Sequence, residues 1–139
     1  MRGGHFIKSW SSTQKNITLS SGEAELIAAV KASCETIGAL QLTVGWGEEM
    51  EGSMWMDSSA ALGMVRRKGN GQMRHVRIGN MWIQEREENE QLKFNKIDWQ
   101  RNPSDAMTKN LNEATLWRHC KDMHMEARDG RAKEGLELT

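Results

Sequence analysis

Strand-like and helix-like apolar patterns alternate along this chain, which restricts it to a sheet covered by helices. Phe6 to Trp10 alternates apolar and polar residues and reads as a strand. Ser20 and Glu23 have capping-box spacing. Behind them Ile27, Val30, Cys34, Ile37 and Val44, widened by Leu26 and Leu40, predict an amphipathic helix that Gly45 and Gly47 end. Met54-Trp55-Met56 is a short apolar run entering Asp57-Ser58-Ser59, a buried strand followed by a helix N-cap. Ala60 to Val65 continues as helix and stops at Lys68 to Gly71. A further helix is predicted from Arg74 to Glu88. Leu92, Phe94, Ile97 and Trp99 predict a strand with one slip, read as a bulge. Asn102-Pro103-Ser104-Asp105 is a turn that opens a helix through Met107, Leu111, Leu116 and Met123.

The 139 residues are one domain's worth of chain. Residues 1–125 are expected to form it, and 126–139 to be a polar, disordered tail. Only 23 residues are Leu, Ile, Val or Phe, but 10 Met and 6 Trp restore apolar volume. No apolar stretch is long enough to span a membrane, and the start of the chain is not a secretory signal. Cys34 and Cys120 sit in no motif, so an intracellular protein of cytoplasm or nucleus is expected.

The net charge of zero excludes a uniformly basic nucleic-acid binder, yet it hides blocks. Residues 21–57 hold Glu23, Glu25, Glu35, Glu48, Glu49, Glu51 and Asp57 against Lys31. Residues 58–84 hold Arg66, Arg67, Lys68, Arg74 and Arg77 and no acid. Adjacent blocks suit a site that holds a cation and a phosphate backbone together, and equally suit solvated faces.

Three acids stand where α/β folds place chemistry. Glu25 lies early in the long helix, Asp57 ends an apolar strand, and Asp105 opens a late helix. Converging carboxylates need a cation, and magnesium accepts oxygen ligands while leaving room for a phosphate. Each also has a plain reading: Asp57 and Asp105 as N-caps, Glu25 as a charge favouring a helix N-terminus.

Lys8 to Ala29 (KSWSSTQKNITLSSGEAELIAA), Met54 to Val65 (MWMDSSAALGMV), Arg74 to Glu85 (RHVRIGNMWIQE) and Ser104 to Leu111 (SDAMTKNL) together resemble the ribonuclease H domain of copia-type retrotransposons. The four segments fall in family order over roughly residues 6–115. The resemblance implies a ribonuclease H-like α/β fold, a mixed sheet flanked by helices. It implies cleavage of the RNA strand of RNA–DNA hybrids at a two-metal site holding Mg2+ or Mn2+. Glu25, Asp57 and Asp105 match the family's second, third and fourth catalytic acids and metal ligands. Glu25 is preferred to Glu23 because it directly precedes Leu-Ile-Ala-Ala.

One feature of the family has no match. Its first catalytic aspartate lies on a central strand upstream of everything in this sequence, and no aspartate precedes Asp57. The fold is therefore expected to lack the first central strand and most of the second, with Met1 at an internal position of a longer domain. Alone, the chain is expected to be inactive or weak, and its open sheet edge to be completed by an upstream reverse-transcriptase region or a second copy. Two alternatives stand beside this: a non-catalytic remnant binding nucleic acid or a partner chain, and an unrelated α/β domain whose acids are caps.

Arg66, Arg67, Lys68, Arg74, His75 and Arg77 are the candidates for gripping hybrid phosphates. His75 matches a family histidine without an assigned role. Five of the six tryptophans lie in apolar-patterned segments and are expected in the core, with Trp46, between two glycines, exposed. His119, Cys120 and His124 lack a second ligand pair and read as a helix surface.

Overall fold

A computed structural model describes residues 6–14, 18, 20–69 and 77–126, the side chains of Arg77 and Ile78 excepted. The elements are α1 (Ser21–Gly45), β1 (Gly52–Met56), α2 (Ser59–Arg66), α3 (Arg77–Glu88), β2 (Leu92–Lys96), a 3-10 turn (Trp99–Arg101), α4 (Asp105–Thr108) and α5 (Glu113–Asp122). They fall into two compact units, Thr13–Asn102 and Met1–Ser12 with Pro103–Thr139.

In the larger unit β1 and β2 pair in parallel, Gly52 opposite Leu92 and Met56 opposite Lys96. Parallel strands need a long crossover, and α2 and α3 supply it. One sheet face carries Met56, Leu92 and Phe94 into a core with Leu26 and Ala29 of α1, Ala61, Leu62 and Val65 of α2 and Ile83 of α3. The chain is thus a small mixed α/β protein, and its described sheet is two-stranded and purely parallel, not mixed.

Helix α1 starts where the capping-box spacing places it: the Ser20 hydroxyl accepts from the Glu23 amide at 3.2 Å. Its close approach to α2 depends on Gly22, where a Cβ would stand 3.2 Å from that of Ala60. Helix α2 is capped by Ser58, whose hydroxyl accepts from Ala61 N at 3.1 Å.

Several expectations need correction. Residues 6–10 form no strand; Ile7 and Trp10 are exposed, so the alternation has no sheet face to serve. The expected bulge is the end of β2: Ile97 follows the strand and Trp99 opens the 3-10 turn. The late helix is two helices, because Lys109 is extended and Asn112 caps a new start, its side chain accepting from Thr115 N. The tryptophans are not core. Trp10, Trp55, Trp99 and Trp117 are exposed where core was expected, Trp46 is exposed as expected, and only Trp82 packs against the core. In β1 the two-residue period turns Met54 and Met56 inward, which sends Trp55 outward at 60 % exposure.

In the smaller unit His119 is buried, with Nδ1 lacking a hydrogen-bond partner, so it is not part of a helix surface. Residues 127–139, most of the expected tail, and 74–76, the expected start of the helix now seen from Arg77, lie outside the described residues. Among the described residues, no helix is long and apolar enough to cross a membrane.

Candidate functional site

Strand β1 delivers Asp57 to the C-terminal end of the parallel sheet, where open α/β sheets bind ligands. The ladder fixes this point: Met56 is opposite Lys96, and Ile97 N donates to Met56 O at 2.9 Å. Asp57 is not the N-cap of α2, because Ser58 fills that role. Its carboxylate instead accepts from Asn102 Nδ2 at 3.0 Å. Lys96 Nζ donates to the Asp57 main-chain oxygen. One carboxylate, one amide and one ammonium thus meet at the ends of the two strands.

The other two acids stand differently. Glu25 is exposed on α1, past the first turn, while Glu23 in that turn is buried. The helix N-terminus therefore accounts for Glu23 and not for Glu25. Asp105 belongs to the smaller unit. It occupies the first turn of α4 and is buried, its carboxylate paired with Lys109 Nζ at 2.9 Å.

All three are hard oxygen donors, and Asp57, oriented by a neutral amide that leaves its charge intact, fits a magnesium ion in kind. Among the described residues, however, no three His, Cys, Asp or Glu side chains gather closely enough to hold a metal ion.

The basic block is partly spent within the larger unit. Arg66 Nη2 donates to Phe94 O at 2.7 Å, tying α2 to β2, and its Nε lies 3.9 Å from Glu87. Lys68 Nζ lies 3.1 Å from Glu88. With Arg67, these residues line an open cleft of about 290 Å³ whose far side is Glu85, Glu87 and Glu88 of α3. In the sequence these bases stand away from the α3 acids, which follow 17 or more residues later, and the crossover brings them back. Arg74 and His75 lie outside the described residues; Arg77 begins α3, its side chain likewise. Arg66→Ala is expected to lower stability by about 1 kcal/mol through the lost bond to a buried strand. Lys68→Ala, in an exposed pair, should change it by less than about 0.5 kcal/mol. Urea midpoints compare the two, and equal values would refute the tie to β2.

Asn102 and Lys96 escaped the sequence reading. They lie 45 and 39 residues from Asp57, and no local pattern links them. The Asn-Pro turn was the one signal, and it pointed to a turn.

The chain is 31 % identical, over 121 residues and 84 % of its length, to a protein of Nicotiana tabacum described as the retrovirus-related Pol polyprotein from transposon TNT 1-94. The matched part is 9 % of that polyprotein. The similarity supports an origin in a retrotransposon Pol polyprotein. No protein-family model matches the chain, and no solved structure does.

Proposed function

We propose that the chain is a ribonuclease H-like part of a retrotransposon Pol polyprotein, acting on RNA–DNA hybrids with divalent metal. The observation that carries this reading is Asp57. It sits at the end of a parallel strand, is relieved of capping by Ser58, and is oriented by Asn102. Similarity to a Pol polyprotein over most of the chain supports the same reading.

In it the family resemblance assigns Glu25, Asp57 and Asp105 as metal ligands, although no three such side chains gather among the described residues, and Arg67, Arg74, His75 and Arg77, with Arg66 and Lys68 in lesser part, are the candidates for contact with the hybrid's phosphates. Bound Mg2+ or Mn2+ would supply an activated water and stabilise the leaving oxygen. The sequence offers three of the family's four carboxylates, so alone the chain should bind hybrid and cleave it little or not at all.

The test uses the full chain, an RNA–DNA hybrid and Mn2+. Hybrid binding should weaken steeply between about 50 and 200 mM salt, as phosphate contacts demand. Mn2+ at millimolar concentration should broaden the carboxyl signal of Asp57, and Asp57→Asn should abolish metal binding there. Lack of both hybrid and metal binding would sink the proposal. Efficient cleavage that Asp57→Asn removes would refute only the incompleteness.

A second reading is a non-catalytic remnant that joins a partner chain through its sheet. It is favoured by the parallel sheet's outer face, where Ser53, Trp55 and Lys93 are exposed, since such sheets are normally covered on both sides.

A further inference from the structure

We propose that Glu88 of α3 stands in for a nucleic-acid phosphate: it occupies Lys68 in the free chain and yields it to the RNA–DNA hybrid on binding. The inference rests on the hybrid-binding reading above and adds to it how the basic block is regulated.

Three bases follow one another at the end of α2, and they stand in three different states. Arg66 is committed to the fold, because its Nη2 donates to Phe94 O at 2.7 Å and its Nε lies 3.9 Å from Glu87. Arg67 is exposed at the C-cap of α2 and makes no ion pair among the described residues. Lys68 lies between these extremes: its Nζ is 3.1 Å from Glu88, and the two side chains are 90 % and 66 % exposed. A pair this open to water contributes little to the fold, so exchanging its carboxylate for another anion costs little. A phosphate oxygen offers the ammonium the same kind of charged acceptor.

Two further observations separate this pair from a structural one. Glu87 and Glu88 end α3, where the partial negative charge of a helix C-terminus disfavours acids, so helix stability does not account for them. The turn that carries Lys68 is also held without the pair. Gln84 Nε2 donates to Met64 O at 2.8 Å and to Gly69 O at 3.1 Å, on either side of the three bases. Gly69, at φ 83°, takes a left-handed conformation that glycine adopts freely. Breaking the Lys68–Glu88 pair therefore frees a charge without loosening the turn that presents it.

Salt makes the exchange visible. Each phosphate that a lysine neutralises releases about one counterion from the nucleic acid. In the parent chain the displaced Glu88 recruits a cation, which cancels much of that gain. Removing the carboxylate removes the cancellation.

The test measures binding of an RNA–DNA hybrid by the full chain between about 50 and 200 mM salt, with thermal midpoints on the same samples. Glu88→Gln should tighten binding by up to about tenfold near 100 mM salt, steepen the salt dependence by about one counterion, and leave the midpoint no lower. In a Lys68→Ala background it should have little effect, since the base it masks is gone. Glu85→Gln makes the same change of charge on the same cleft wall, at an acid 3.5 Å from Arg86, and should shift affinity less. Unchanged affinity in Glu88→Gln overturns the stand-in, and hybrid binding by the parent then leaves the broader reading in place. Equal tightening by Glu88→Gln with and without Lys68, or equal tightening by Glu85→Gln, also overturns it, as a general effect of net charge. No binding by either the parent or Glu88→Gln overturns the stand-in together with the hybrid reading.

Discussion

Phe94→Ala is expected to destabilise the larger unit by about 3–5 kcal/mol, the cost typical of removing a buried aromatic ring. Phe94 is 3 % exposed in the middle of β2. Its side chain belongs to the cluster joining Met56, Leu92, Val65 and Ile83, and its carbonyl receives Arg66. Two strands have little stability of their own, so the described sheet depends on the face that α1, α2 and α3 cover. The sequence holds only two phenylalanines and four valines, leaving few large groups to close the cavity. The loss would be a large share of an ordinary total of about 5–15 kcal/mol. Urea unfolding followed by far-ultraviolet circular dichroism checks it. Phe94→Leu, which keeps most of the volume, should cost less than about 1.5 kcal/mol. A midpoint for Phe94→Ala no lower than that of Phe94→Leu would show that the ring does not carry the core.

What could be read from the sequence divides by the range of the interaction. Ser20 and Ser58 announced two helix starts because capping is settled within four residues. Met54-Trp55-Met56 announced a strand for the same reason, but not which side Trp55 takes. That depends on where the helices lie, and three apolar residues in a row carry no alternation to decide it. The alternation at Phe6–Trp10 shows the converse: the local pattern is correct for a strand, and Ile7 and Trp10 are nonetheless exposed outside any strand. At the site, Asp57 was legible as a strand-end acid. Its release from capping turned on a choice between neighbouring residues, Asp57 and Ser58, that local preference leaves open. Its partner Asn102 was invisible because the parallel pairing of β1 and β2 brings that loop back. The pairing of Lys68 with Glu88 was hidden for the same reason, so a basic block in the sequence became a mixed-charge cleft.

Gly52→Val should be among the most damaging single changes outside the core side chains, through overpacking. Gly52 opens β1 opposite Leu92. A Cβ there would stand 2.6 Å from Leu92 Cδ2, 3.1 Å from Leu40 Cδ1 and 3.2 Å from Thr36 Cγ2. The nearest of these belongs to a side chain only 1 % exposed, which must move within a packed interior. Glycine in a strand costs roughly 0.5–1 kcal/mol of backbone entropy, so in open space alanine would be the better residue. Here the clash wins: Gly52→Ala is expected to cost about 1–3 kcal/mol, and Gly52→Val more. Gly38, in the exposed part of α1 with nothing within 4 Å of an added Cβ, is the control. Gly38→Ala should instead stabilise by about 0.5–1 kcal/mol, through helix propensity alone. Leu92→Ala removes the colliding methyl, so Gly52→Ala should cost less in that background than in the parent. Four urea midpoints, for the parent, each single variant and the double, decide it. If the two changes simply add, Leu92 is not the obstacle and the account of Gly52 fails.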